Sequence, residues 1–184
     1  MILPIYTFGQ EVLRKKGTEI AQDYPELNTL IENMFETMYA ANGVGLAAPQ
    51  IGLPIRLFVI DTTKWEEAKN AEKFKQAFIN AEIIEEWDEP WKFEEGCLSI
   101  PGIRENVSRK GKIKIQYLDE HFNAHLKEFS GIAARVIQHE YDHIEGILFT
   151  DKINPLRKKF LQNKLKEMSK GKVRADYPIK PSRK

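Results

Sequence analysis

The chain has 184 residues, a length that suits one domain with a sizeable hydrophobic core and is short for two. Hydrophobic residues make up 42% of the chain and charged residues 30%, and the formal net charge is +1, so the composition is that of a globular protein and excludes a disordered one. No apolar run approaches the roughly 20 residues that span a bilayer, and the N-terminus lacks the pattern of a secretory signal. The single cysteine, Cys97, excludes an internal disulfide and suits a reducing compartment. We therefore expect a cytoplasmic protein whose partners include neither a membrane nor DNA.

The charge is distributed unevenly along the chain. From Lys152 to Lys184 there are 12 Lys and Arg residues against 2 acidic ones, a net charge of +10 that leaves −9 for the rest of the chain. A basic C-terminal segment is typical of a surface that meets an anionic partner, and nucleic acid is one candidate. A merely solvated tail explains the charge equally well.

The first predicted element is a helix that begins near Pro25, in the segment PELNTLIENMFETMYAANG. Its apolar residues recur at helical spacing, and a proline near the start with Gly43 beyond the end predicts an amphipathic helix of about four turns. The glycine-punctuated segment GVGLAAPQIGLP and the strand-like run IRLFVID follow. The charged segment TTKWEEAKNAEKFK after them is interpreted as a surface excursion.

Strands fill most of the middle of the chain. QAFINAEIIEE predicts one or two strands, and KIKIQYLD alternates between apolar and polar residues, which indicates a half-buried strand. The short strands follow one another with hairpin-length gaps, so we predict antiparallel pairing rather than parallel crossovers.

The second strong helix is predicted for GIAARVIQHEYDHIEG, with Ser130 as its N-cap. Ile132, Val136, His139 and His143 lie on one stripe of this helix. The histidines are therefore expected on the face that aliphatic residues carry into the interior.

A last amphipathic helix is predicted for NPLRKKFLQNKLKEMSKG. Together these elements predict an α+β fold, a single domain in which short, mostly antiparallel strands surround a central HExxH helix, with an N-terminal amphipathic helix and a C-terminal helix. We expect this domain to span residues 1–171 and the basic tail, residues 172–184, to be frayed.

The motif HEYDH points to a metal site. His139 and His143 stand one helical turn apart and can bind one cation, while Glu140 can take a proton from water on the metal. The competing interpretation is a polar helix face. Burial beside aliphatic residues argues against it, because an unpaired buried histidine pair with a carboxylate is costly.

Two histidines need a third ligand, and several residues are candidates. Phe149 stands where some zinc proteases carry a third histidine, Glu167 lies in a lysine-rich solvated setting, and His121 and His125 belong to a predicted turn and strand. Cys97 remains; a lone cysteine is often only a small core residue, but a thiolate is an excellent ligand beside two histidines. One Cys with two His leaves a fourth position open for water, as in catalytic sites.

Three segments resemble those of the peptide deformylase family in sequence, order and spacing: GVGLAAPQ (43–50), EGCLSIPG (95–102) and QHEYDHIEG (138–146). The similarity covers roughly residues 1–150, and the last helix is similar to that of the bacterial class that carries one. The resemblance implies hydrolytic removal of the formyl group from the N-terminal formyl-methionine of nascent polypeptides, with release of formate. It also implies one divalent cation per chain, held by Cys97, His139 and His143, with Fe²⁺ expected and Zn²⁺, Ni²⁺ or Co²⁺ as alternatives in a purified sample.

The resemblance further implies the catalytic residues. Glu140 corresponds to the general base and acid, and the Gln50 side chain and the Leu98 N–H, with the metal, correspond to the groups that hold the oxyanion. Four more residues are predicted to contact the substrate: Val44, Ile132 and Val136 as the walls of a methionine pocket, and Gly45 as a point of close approach for the substrate backbone.

Two other functions stay open at this level. One is a metalloprotease that cuts internal peptide bonds, and the other is a non-enzymatic module with a structural cation. In bacterial relatives the C-terminal helix is associated with docking near the ribosomal exit tunnel, so ribosome binding through the basic segment is a hypothesis.

Overall fold

The computed structural model describes residues 1–63, 65 and 72–182. Half of the predicted surface excursion TTKWEEAKNAEKFK, residues 64 and 66–71, lies outside the described residues. No helix within the described ranges has the length and apolar character that a bilayer crossing requires.

The described part contains four α-helices and nine β-strands. The helices are α1 (Leu27–Ala40), α2 (Gly131–Ile144), α3 (Phe149–Lys152) and α4 (Pro155–Ser169). The strands are β1 (Ile5–Tyr6), β2 (Gly45–Ala47), β3 (Leu57–Asp61), β4 (Lys75–Trp87), β5 (Trp91–Gly96), β6 (Arg104–Arg109), β7 (Lys112–Leu118), β8 (Ala124–Ser130) and β9 (Ile179–Lys180).

The central sheet has five antiparallel strands in the order β2-β3-β4-β7-β8. Strands β5 and β6 form a separate antiparallel hairpin, and β1 pairs with β9 in parallel. The predicted α+β class with mostly antiparallel strands in a single domain is therefore confirmed. QAFINAEIIEE forms one long strand, β4, whose pairing with β7 shifts register twice. In β7 the buried residues alternate with more exposed ones, as the sequence predicted.

Two helices cover the sheet. Helix α1 forms where the apolar spacing predicts it, but Asn42, with φ 54°, takes the left-handed conformation after its end. Helix α2 begins at the end of β8 and buries Ala133, Ala134 and Ile137 completely against aromatic residues of the sheet. It contains the HEYDH motif and packs on β2 and β3, which brings the motif next to the glycine-rich segment. Gly146 has φ 74° and ends the turn after α2.

The structure places the C-terminal tail through residue 182 against the N-terminal part of the chain, whereas the sequence predicted a frayed tail for residues 172–184. Strand β9 pairs with β1, and the Ile5 N–H donates to the Pro178 carbonyl over 2.9 Å. The Gln10 side chain donates to the Pro181 carbonyl over 2.9 Å, and Ser182 is buried. The tail is held because the N-terminal strand supplies the hydrogen-bond partners that a two-residue strand lacks on its own.

Candidate metal centre

The structure brings Cys97, His139 and His143 together. The ligand atoms that they offer all lie within 4.8 Å of one another. The two histidines come from consecutive turns of α2, and Cys97 follows directly after the end of β5. Within the described ranges this is the one group of three or more His, Cys, Asp or Glu residues with such spacing. His125 instead pairs with Asp119 over 2.8 Å.

Glu95 orients the first histidine. Its Oε2 lies 2.9 Å from His139 Nδ1, so the hydrogen bond places the ring proton on Nδ1 and leaves Nε2 for a cation. Burial by itself lowers the pKa of His139, but the hydrogen bonds with Cys97 and Glu95 outweigh it and raise this pKa to about 10. Without a cation the imidazole is therefore protonated at neutral pH, and a metal ion must displace that proton.

Glu95 is the centre of a buried ionic network. Its carboxylate accepts from Arg109 Nε over 2.7 Å and from Arg135 Nη1 over 2.6 Å, and Arg109 also donates to Asp142 over 2.7 Å. All four side chains are at most 8% exposed. Burial opposes ionisation of Glu95, but the bonds from His139 and Arg109 hold its pKa well below its usual range. The network fixes the position of β5, and with it Cys97, relative to α2.

The second histidine faces the thiol directly. His143 Nε2 lies 3.3 Å from Cys97 Sγ. Burial, together with the charge on His139, lowers the pKa of His143 well below its ordinary value, which favours the neutral imidazole that metal ions bind. In a tetrahedral site with metal–sulfur and metal–nitrogen bonds of about 2.3 and 2.1 Å, sulfur and nitrogen lie roughly 3.6 Å apart. The spacing and the chemistry of the donors therefore fit a single divalent cation.

Glu140 lies beside this group and is almost fully buried. Its Oε2 has no hydrogen-bond partner among the described residues. Burial raises the pKa of Glu140 to about 7, against the opposing charges of His139 and Arg109. Gly45 of β2 explains how the carboxylate fits: a Cβ at this position would lie 2.4 Å from Glu140 Oε1. The glycine predicted as a point of approach for substrate thus first makes room for the Glu140 side chain.

Gln50 and Leu98 both lie next to Cys97. The Ala47 N–H donates to Gln50 Oε1 over 2.8 Å, which turns the amide nitrogen toward Cys97 Sγ at 3.6 Å and Ser99 Oγ at 3.2 Å. The Leu98 N–H has no acceptor among the residues that the structure describes. A fixed amide donor and an unpaired backbone donor therefore flank the candidate metal centre.

Gln50, Cys97, Leu98, His139 and Glu140 line one cleft of about 1180 Å³. Val44, Gly45 and Val136 line it, whereas Ile132 packs against the sheet beneath α2 and is absent from the lining. The assignment of Ile132 to the substrate pocket is therefore not supported by its position. Ile132 precedes Val136 by one helical turn. A residue on the same stripe of α2 as the histidines therefore does not always reach the cleft.

Sequence reasoning missed three residues of the site: Glu95, Ser99 and Tyr177. Glu95 and Ser99 lie within two residues of Cys97, and that closeness was the available signal. Tyr177 donates to the Leu98 carbonyl over 2.8 Å from the tail, and no local pattern marks it.

The fold and the site define a class of protein: an α+β domain in which a helix with the HExxH motif and a nearby cysteine form a candidate metal centre. The family model for polypeptide deformylase matches residues 2–159. A peptide deformylase of Flavobacterium johnsoniae is 55% identical, with 98% of this chain and 96% of the relative covered. This chain belongs to the peptide deformylase family and is an enzyme that deformylates nascent peptides.

Solved structures agree with this assignment. The crystal structure of a Thermotoga maritima peptide deformylase superposes with a TM-score of 0.76 at 41% identity and covers 84% of this chain and 99% of its own. An Acinetobacter baumannii peptide deformylase with Met-Ala-Ser bound has a TM-score of 0.78 at 32% identity, over 83% and 99% of the two chains. The metalloprotease and the structural module are therefore not favoured.

Proposed function

We propose that the chain hydrolyses the formyl amide of N-terminal formyl-methionine in this cleft and releases formate. The observation that carries the proposal is the position of Glu140: a buried carboxylate oxygen without a partner stands beside three convergent metal-ligand side chains. Such a carboxylate is costly to bury and suits a group that exchanges protons with a substrate or with water.

Cys97, His139 and His143 would hold one divalent cation, with Fe²⁺ expected and Zn²⁺, Ni²⁺ or Co²⁺ able to replace it. A cation held there acidifies water near neutral pH and acts as a Lewis acid toward a carbonyl oxygen. Glu95 keeps the His139 ring oriented toward the cation through its hydrogen bond to Nδ1.

Glu140 is the proton carrier of the proposed reaction. Its carboxylate accepts a proton from the attacking water and returns it to the amine that leaves as the formyl C–N bond breaks. A pKa raised to about 7 by burial suits both roles, because the group then gains and loses a proton readily near neutral pH. The clash that any side chain at Gly45 would make with Glu140 indicates that this carboxylate needs a defined position.

Two fixed donors would stabilise the negative charge that develops on the formyl oxygen. Gln50 is held by the Ala47 N–H, so its Nε2 hydrogens stay directed toward the Cys97 side of the cleft. The Leu98 N–H is the second donor. A preorganised donor of this kind contributes roughly 3 kcal/mol to transition-state stabilisation.

Val44 and Val136 form the apolar part of the cleft and are proposed to receive the methionine side chain. The Met-Ala-Ser bound to the Acinetobacter baumannii relative supports a cleft that accepts a peptide beginning with methionine. Gly45 would allow the peptide backbone to pass close to β2. Because formylated nascent chains emerge from ribosomes, we propose a cytoplasmic location and ribosome association through the basic C-terminal segment.

The test is an anaerobic formate-release assay on formyl-Met peptides, combined with metal analysis. We expect Cys97→Ser to lose most of the bound metal and the activity. Glu140→Gln should keep the metal and lose roughly 10²- to 10⁴-fold in kcat, since it removes the proton carrier and conserves the shape.

Unformylated peptides serve as the control, and their cleavage at internal bonds would indicate a metalloprotease instead. Full activity of Cys97→Ser would overturn the proposed site.

A further inference from the structure

The carbonyls of the three residues that follow β5, Cys97, Leu98 and Ser99, all accept hydrogen bonds. Their donors lie in the same loop, near the N-terminus and in the C-terminal tail. The three bonds run from the Ile100 N–H to Cys97 O at 2.9 Å, from the Phe8 N–H to Ser99 O at 2.9 Å, and from the Tyr177 hydroxyl to Leu98 O at 2.8 Å. Residue 98 is therefore oriented by a side chain 79 positions away in the chain.

Tyr177 is itself firmly placed. Its ring and the Leu98 side chain pack against the same core cluster, which includes Met34 and Met38 of α1. The next residue, Pro178, accepts from the Ile5 N–H, and β9 then pairs with β1. Tyr177 also lines the cleft, as do the three residues before it. The tail thus contributes one wall of the cleft and one contact to the loop.

We propose that Tyr177 is a positioning residue for catalysis, which holds Leu98 so that its N–H meets the developing oxyanion. The inference rests on the proposed function, because it assigns that N–H to the oxyanion. The Leu98 N–H shares a planar peptide unit with the Cys97 carbonyl, which the Ile100 N–H holds, and the Tyr177 hydroxyl holds the next peptide unit through the Leu98 carbonyl. Residue 98 is therefore fixed on both sides, although its N–H has no protein partner in the described part of the chain. A donor aimed in advance stabilises the transition state more than one that must reorient.

The test is Tyr177→Phe, which keeps the ring and its packing and removes the hydroxyl. We expect kcat for formyl-Met peptides to fall about tenfold, within the 10²-fold loss that a misplacement of about 1 Å can cause, while KM changes less than twofold. Tyr24→Phe is the matched control, because Tyr24 packs on the same cluster outside the cleft. It should leave both constants unchanged.

Hydrogen exchange supplies a readout that is independent of activity. In Tyr177→Phe the Ile100 amide, which donates to the Cys97 carbonyl in the same loop, should exchange faster than in the parent, with the melting temperature unchanged. An unchanged kcat, or an equal loss in Tyr24→Phe, would overturn the positioning role. If the parent itself released no formate, the proposed function would fail, whereas the exchange result would still report whether Tyr177 orders the loop.

Discussion

Glu140, the proposed proton carrier, is buried at a cost in stability. The side chain is almost fully buried, its Oε2 has no partner within the described ranges, and its pKa is raised to about 7, mainly by burial. A charged carboxylate in this place destabilises the folded protein, because water solvates it better in the unfolded chain. The burial that would prepare Glu140 for proton transfer therefore lowers the stability of the folded protein above neutral pH.

The pH dependence of stability tests this cost at the residue itself. The pKa of Glu140 is about 7 in the folded protein and ordinarily 4.5, so the protonated carboxyl favours folding below pH 4.5, and this contribution is lost as the pH rises through 7. In the metal-free protein, Glu140→Gln should therefore be nearly neutral at pH 5 and stabilise the fold at pH 8, by up to about 3 kcal/mol.

Urea unfolding in the presence of a chelator at both pH values measures the change. Glu19→Gln, at an exposed position, is the control and should show no pH-dependent gain. An equal effect of Glu140→Gln at both pH values would mean that folding does not raise the pKa of the Glu140 carboxyl.

The candidate metal ligands could be picked out from the sequence because the information is local. The spacing of His139 and His143 already places both rings on one face of a helix, and the segment EGCLS carries the resemblance that selected Cys97. Contacts between residues that are far apart in the sequence leave no such local pattern. The contact between Tyr177 and Leu98 depends on the pairing of β9 with β1, and two-residue parallel strands have no recognisable pattern.

At the level of elements, the hairpin of β5 and β6 is tied to α2 by charge. Glu95 on β5 binds Arg109 of β6. Glu95 also contacts Arg135 and His139 of α2, and Arg109 contacts Asp142 of the same helix. Cys97 belongs to one element and the two histidines to the other. The geometry of the metal centre therefore depends on how these elements are held together, as well as on the ligands themselves.

Glu95→Gln tests this link between the elements. The change removes a buried negative charge that two arginines and His139 share, so we expect a loss of about 3–5 kcal/mol in the free energy of unfolding. Metal affinity should fall about 10- to 100-fold, because His139 loses its orienting carboxylate. Competition with a chromophoric chelator measures the affinity. Glu94→Gln, whose partner Arg104 is exposed, is the matched control, and equal behaviour of the two variants would contradict the link.

At the scale of the whole molecule, the basic C-terminal segment of the sequence forms helix α4 and the tail that follows it. Helix α4 buries Leu165 and Met168 against the body and exposes Leu156 and Phe160 at 63% and 72%. Arg157 is bonded to Glu105, which ties this basic helix to β6. The cleft lies on the same body, with its wall completed by the tail that follows α4. The basic helix and the cleft are thus parts of one unit, as docking near emerging nascent chains would require.

Ribosome association is tested by changing the exposed lysines of α4 that do not support the fold. Lys159 and Lys166 are exposed and seven positions apart, so they lie on nearly the same side of the helix. Lys159→Glu with Lys166→Glu should weaken co-sedimentation with ribosomes and lower the slope of log K against log salt by about 1.5–2, because two phosphate contacts are lost.

The same change of charge elsewhere controls for net charge. Lys92→Glu with Lys127→Glu alters exposed lysines of β5 and β8 and should leave both the affinity and the slope close to those of the parent. Formate release from short formyl-Met peptides should stay the same in both double variants, since none of the four lysines lines the cleft. Co-sedimentation that is unchanged by the α4 variant across salt concentrations would rule out docking through these lysines, and an equal loss in the control would reduce the interaction to nonspecific attraction of charge.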